Sequence, residues 1–225
     1  MKTAIINVII VLLLGVLSPQ LLRAQGTITY LSNLGQSSTG SNPVGSNSWI
    51  ASIFNTGNNP GGYILNSIQL GMTDASGNPS GFTAMIYSAV IFTGFNPGSN
   101  LDTLTGSANP STSGIYTYTD ASNLILSPST DYFIVLTAGT TVANGAYDWS
   151  LTIPNAYSPS DGWGAGGVWK SSNGSSWLFN SGAPQFAINA TAIPEPSAIS
   201  LILLGSGVLI YVRRTFQSNP AARKF

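Results

Sequence analysis

The chain contains neither histidine nor cysteine, and charged residues make up only 6% of it. Without histidine, no side chain ordinarily changes its charge near neutral pH; without cysteine, there is no thiolate nucleophile and no disulfide framework. A Ser-His-Asp triad, a Cys-His pair and a zinc site of the usual ligands are thereby excluded. Cations are also missing from the middle of the chain. Between Gln25 and Ala192, Lys170 stands alone against Asp74, Asp102, Asp120, Asp131, Asp148 and Asp161, which is one positive charge against six negative, or minus five. Nucleic-acid binding needs clustered Lys and Arg to displace counterions from phosphates, so no nucleic-acid partner is expected. A phosphate loop is absent too: Gly164-Ala165-Gly166-Gly167 is not followed by Lys-Ser/Thr and reads as a flexible turn between Trp163 and Trp169. No cofactor and no metal are expected.

The remaining basic residues sit near the two ends, where they flank apolar runs. At the N-terminus Lys2 precedes the apolar stretch Ala4 to Leu17, Pro19 breaks it, and Ala24 offers a small residue before a cut. This pattern predicts a secretory signal peptide over residues 1–24, with an uncleaved N-terminal anchor as the alternative. Near the other end, Ala198 to Val212 is an uncharged run of 15 residues followed by Arg213-Arg214. As a helix it rises roughly 22 Å, against a hydrocarbon core of roughly 30 Å, so it spans with help from snorkelling flanks or local thinning. The arginines place its far end on the cytoplasmic side and the body outside.

Immediately before this run stands Pro194-Glu195-Pro196-Ser197. The two prolines lack an N–H and bias Ile193 and Glu195 towards extended backbone, so the segment is expected to be presented as an open strand. The order Pro194, Glu195, Pro196, Ser197, apolar helix, Arg213, Arg214 resembles the PEP-CTERM sorting signal. The resemblance covers Ile193 to Arg214 and implies an exosortase-type membrane peptidase as partner. It also implies a chain anchored by its C-terminal helix and then processed, with release to the cell envelope or outside the cell. Residues 193–225 are accordingly read as a sorting segment with a transmembrane helix over 198–212.

Residues 25–192 are long enough to bury a substantial core as one domain. Apolar alternation and turn clusters predict about ten short strands and no helix. Strands are expected at Thr27–Leu31 and Trp49–Phe54, with a Ser/Gly/Asn/Pro loop over Ser37–Asn47 between them. Tyr63–Met72 follows, with Ile64, Ile68, Leu70 and Met72 on one face, then a turn over Asp74–Pro79. Phe82–Phe92 and Tyr132–Thr137 are apolar on both faces, as expected of central strands covered by a second sheet. Gly94–Gly114 reads as a long polar loop. Tyr116 and Tyr118 alternate with threonines, and Trp149, Leu151 and Ile153 alternate with Asp148, Ser150 and Thr152. Trp177–Phe179 and Gln185–Ala190 complete the set. Strands at this spacing imply two packed antiparallel sheets, a β-sandwich of jelly-roll type.

Four stretches of the body also resemble the choice-of-anchor R domain. They are Asn47–Gly57, Tyr63–Leu70, Ala84–Ser88 and the run Leu126-Ser-Pro-Ser-Thr-Asp-Tyr-Phe-Ile-Val-Leu136. That family is exported and bacterial, and it occurs with several C-terminal anchors. The resemblance implies a displayed or released β-sandwich and brings no catalytic residue with it.

Three candidate chemistries remain in the body. A pair of aspartates about 5 to 10 Å apart can hydrolyse a glycoside without histidine, but most of the six aspartates sit beside turn residues, where they bond local backbone. Asp74, Ser76 and Asn78 place oxygens at alternate positions, as calcium loops do, but lack the further carboxylates of such a loop. Trp163, Trp169 and Trp177 lie in a Gly/Ser-rich segment, where rings on loops stack on sugars or cover a core. The expected function is that of a non-enzymatic cell-envelope or extracellular-matrix protein associated with extracellular polysaccharide. The alternative is a carbohydrate-binding module that uses the three tryptophans.

Overall fold

The computed structural model describes residues 26–91, 94–106, 108–153 and 157–194. Gly26–Ile193 forms one compact unit. All its sheet pairings are antiparallel, and among the described residues the only helical element is a single 3-10 turn at Val142–Asn144. No helix of the described residues is long and apolar enough to cross a membrane. The segment expected to do so, 198–212, lies outside those residues, as does the expected signal peptide at 1–24.

In chain order the strands are β1 (Ile28–Ser32), β2 (Gly40–Val44), β3 (Trp49–Asn55), β4 (Tyr63–Gly77), β5 (Thr83–Val90), β6 (Asn96–Thr103), β7 (Thr105–Gly106) and β8 (Gly114–Thr119). They continue as β9 (Ile125–Leu126), β10 (Asp131–Thr137), β11 (Gly145–Thr152), β12 (Ser158–Pro159), β13 (Gly164–Ser171), β14 (Leu178–Asn180), β15 (Ala183–Pro184) and β16 (Phe186–Ala192). One sheet has six strands in the order β14-β13-β3-β10-β5-β6. The other has ten and is built along β12-β1-β16-β4-β11-β15, with β2 on β11, β8 and β9 on β4, and β7 on β8. The two sheets enclose one core, so the body is a β-sandwich.

Period-2 alternation assigns the faces of the six-stranded sheet. On β10, Tyr132, Ile134 and Leu136 enter the core between the sheets, while Phe133 and Val135 join a second cluster with Ala51, Met85 and Trp169. On β5, Ala84 and Ile86 point inward and Met85, Tyr87 and Ala89 outward. These two strands are apolar on both faces, as expected, but the second sheet covers only one of them. The outer face is closed by a layer of side chains, including Trp49, Ile53, Tyr87 and Trp177.

Bulges account for most departures from the strand pattern. The β4–β16 register shifts between Ser67 and Leu65, so one extra residue, Asn66, lies within β4. A bulge reverses the inside/outside parity. Tyr63 and Leu65 therefore face the core on one side of it and Ile68, Leu70 and Met72 on the other. Ile64, expected on the core face, instead pairs with Ile125 of β9.

The expected turn at Asp74–Pro79 begins later, because β4 runs on to Gly77 against β11. Asp74 accepts the Ser113 N–H and Ser76 accepts the Ala146 N–H, so these turn-favouring side chains bond neighbouring chain segments instead. The chain turns at Gly77, whose φ is 59°.

The expected loop over Ser37–Asn47 contains β2, which pairs along β11 from Gly40↔Leu151 to Val44↔Tyr147. Pro43 is tolerated there because β2 lies off the main strand path, bonded to β11 alone. The alternation on β11 is less clean than the sequence predicts. Trp149 is fully buried, yet Ile153 is exposed and Ser150 and Thr152 are buried. Their hydroxyls are satisfied by Gln185 and Gln36 respectively, which makes this face a buried polar seam.

Candidate functional site

The two ends of the body lie on neighbouring strands of the ten-stranded sheet, β1 and β16. Ile28 of β1 lies opposite Ala190 of β16, so the first strand starts beside the end of the last. Beyond β16 the Ile193 N–H donates to the Gly62 carbonyl, and the Asn59 side chain donates to the carbonyls of Gly62 and Ile193 at 2.6 and 3.0 Å. Gly61 has no room for a Cβ, which would collide with the Ile193 carbonyl. The chain is thus clamped up to Ile193, and Pro194 is exposed directly after the clamp. Glu195, Pro196, Ser197, Arg213 and Arg214 lie outside the described residues.

The three tryptophans do not share a surface. Trp163 is 3% exposed and packs between the sheets. It stacks on Tyr30 at 5.0 Å and on Phe54 at 6.1 Å, with Tyr63 edge-on at 4.9 Å. A ligand cannot reach it without opening the core. Trp169 lies within β13 rather than on a loop, on the outer face of the six-stranded sheet, and Trp177 packs half-buried against the same cluster.

The Gly164–Gly167 run, expected as a flexible turn, forms the first half of β13 and pairs with β3. Its register shifts between Gly166 and Val168, which makes Gly167 a bulge residue with φ 76°. A Cβ at Gly167 would lie 2.9 Å from both the Phe179 and Trp169 rings. Glycine is required there for two reasons: its backbone conformation, and the two rings that rest on it. Trp169 meets Phe133 edge-on at 4.9 Å and Phe179 at 5.1 Å. Gly94 and Phe95, between β5 and β6, and Asn96, the first residue of β6, lie across from these rings, and the five residues line an open cleft of about 420 Å³. Phe95 is 51% exposed and Phe179 68%. Sequence reasoning names neither as a site residue: Phe95 falls in the expected polar loop over Gly94–Gly114, and Phe179 is only the end of an expected short strand.

The side chains of Asp74, Asp120, Asp131 and Asp148 accept hydrogen bonds from neighbouring groups. Asp131 accepts from the Asn55 amide and Asp148 from the Ser41 hydroxyl, and burial pushes the Asp148 carboxyl up. Asp102 and Asp120 meet side chain to side chain. Burial, followed by the hydrogen bond and charge of Asp120, pushes the Asp102 carboxyl up. Burial also opposes ionisation of Asp120, but hydrogen bonds from the Ser122 side chain, Asp102 and the Leu124 and Ser122 backbone outweigh it and hold that carboxyl down. Oδ2 of Asp102 is enclosed with no donor facing it. A pair in direct contact leaves no gap of about 5 to 10 Å for a glycosidic oxygen and water. Among the described residues no group of three acidic, histidine or cysteine side chains is placed to hold a metal ion.

No family model and no curated protein matches this chain.

Proposed function

We propose that this is a non-enzymatic, exported β-sandwich of jelly-roll type, carried to the outer side of the membrane and released there by an exosortase-type peptidase. The observation that carries the reading is the order of parts at the C-terminus: Pro194-Glu195-Pro196-Ser197, an uncharged run of 15 residues, and Arg213-Arg214. The clamp at Ile193 supports it. The body is hydrogen-bonded through Ile193 and Pro194 directly after it is exposed, so a peptidase acting beyond that point would not need to unfold the body. The minus-five body, rich in Ser, Thr, Asn and Gly, suits a hydrated matrix of extracellular polysaccharide in the envelope.

Mass spectrometry of the mature C-terminus, with and without a co-expressed exosortase, tests the assignment. Wild-type protein should lose its C-terminal segment in the presence of the peptidase. The combined Pro194→Ala, Glu195→Ala and Pro196→Ala variant should keep it and stay in the inner membrane. An intact Phe225 on wild-type protein recovered outside that membrane would show that the segment is a plain anchor.

A further inference from the structure

We infer that the cleft on the outer face of the six-stranded sheet, lined by Phe95, Asn96, Trp169 and Phe179, binds a sugar ring of a neutral glycan. The inference goes beyond the sorting assignment and does not depend on the tail.

Three observations carry it. The first is the chemistry of the lining: the exposed rings of Phe95 and Phe179, the largely buried Trp169 behind them, one amide and a glycine, with no ionisable group. A pyranose presents an apolar C–H face to aromatic rings and hydroxyls to an amide, so both kinds of wall are used. The second is preorganisation. Trp169 is held edge-on between Phe133 and Phe179, and both Trp169 and Phe179 rest on the Gly167 bulge, where any side chain would displace them. Rings locked in this way lose little conformational freedom on binding.

The third is charge and size, which choose between occupants. An anionic polymer finds no cation in the cleft and meets a body of charge minus five. A stable protein partner, a second copy included, buries about 800 Å² on each side, so it would have to extend well beyond the five residues that line this cleft. The neighbouring edge strand β14 has only three residues, too few for a long strand addition. A neutral, ring-sized ligand is what remains.

The test uses the full chain in a sugar-free zwitterionic detergent, titrated with neutral gluco- and galacto-configured oligosaccharides by calorimetry and tryptophan fluorescence. Uronate oligomers serve as the charged comparison. At least one neutral series should bind saturably and change the emission. Phe95→Ala and Phe179→Ala should each weaken it about tenfold, the size expected for losing one aromatic contact at a binding centre, and Phe179→Trp should retain it. Both positions are exposed, so these variants keep the fold, which unchanged urea midpoints will verify. Absence of saturable binding across the neutral panel overturns the inference, as does binding untouched by both alanine variants. Preference for uronates overturns the neutral class. Self-association without glycan that Phe179→Ala abolishes overturns the inference in favour of an interface between copies.

Discussion

Ile134 offers the sharpest test of how the sandwich is held together. It is fully buried at the centre of β10, opposite Ile86 on one side and Ser52 on the other, and it points into the core between the sheets. Ile134→Ala removes three carbon atoms from a site with no solvent contact. At about 0.8 kcal/mol for each buried methylene, the lost transfer energy is about 2.4 kcal/mol. The cavity left by incomplete relaxation brings the total to about 3 to 4 kcal/mol, within the range of about 2 to 5 for such truncations. For a domain of this size that corresponds to a fall in Tm of roughly 6 to 15 °C. Urea and thermal denaturation followed by tryptophan fluorescence measure both quantities. Phe179→Ala is the matched control, because its ring is 68% exposed on the far side of the same sheet, and it should change stability by no more than about 0.5 kcal/mol. An Ile134→Ala protein that melts with the wild type, or a Phe179→Ala protein that falls as far, would refute the assignment of inner and outer faces.

The Asp102–Asp120 contact predicts a pH dependence. Because the folded chain raises the Asp102 pKa, its ionisation costs more in the fold than in the unfolded chain, so this group lowers stability as pH rises above the ordinary carboxylate range. Asp102→Asn should therefore raise the urea midpoint at neutral pH and leave it nearly unchanged at about pH 3; a midpoint lowered at neutral pH would show that the pair is not repulsive. Asp120 has the opposite sign: its depressed pKa contributes stability that is present above the ordinary carboxylate range and lost as pH falls through the folded value. Asp120→Asn should accordingly destabilise at neutral pH and converge with the wild type in acid, read from the same titration. Gly145→Ala places a Cβ 2.8 to 2.9 Å from the backbone of Asn78, Pro79 and Ser76, at a φ of 139°, and should cost about 1 to 3 kcal/mol by urea denaturation. Asn59→Ala removes both amide bonds that hold Gly62 and Ile193, and should speed hydrogen exchange at the Ile193 amide more than at Ile188 in the middle of β16.

Several features were legible in the residues themselves. Composition excluded thiolate and histidine chemistry, because those side chains are absent in any fold. Continuous apolar runs at Phe82–Phe92 and Tyr132–Thr137 identified strands apolar on both faces, since successive side chains of an extended backbone point to opposite faces. What lies against each face is not local. The second sheet covers the inner face of these strands, and the outer face is closed by rings from β3, β5 and β13. Single inserted residues also defeat a pattern read along one strand. The bulge at Asn66 exchanges Ile64 for Leu65 on the core side, and the bulge at Gly167 turns an apparent glycine linker into the seat of two aromatic rings.

The candidate sites divide in the same way. The proposed sorting tail can be read along the chain because Pro194-Glu195-Pro196-Ser197, the uncharged run and Arg213-Arg214 are contiguous and the proposal rests on their order. The cleft joins Phe95 to Phe179, more than eighty positions apart, through strand pairings that no short stretch encodes. Burial of Trp163 and the meeting of Asp102 with Asp120 likewise depend on which strands became neighbours. Residue type and local period determined which chemistries this chain lacks and where its strands run. Only the closing of one sheet on another decided which aromatics are buried and which stay open to a ligand, because burial is a property of the partner surface as much as of the residue.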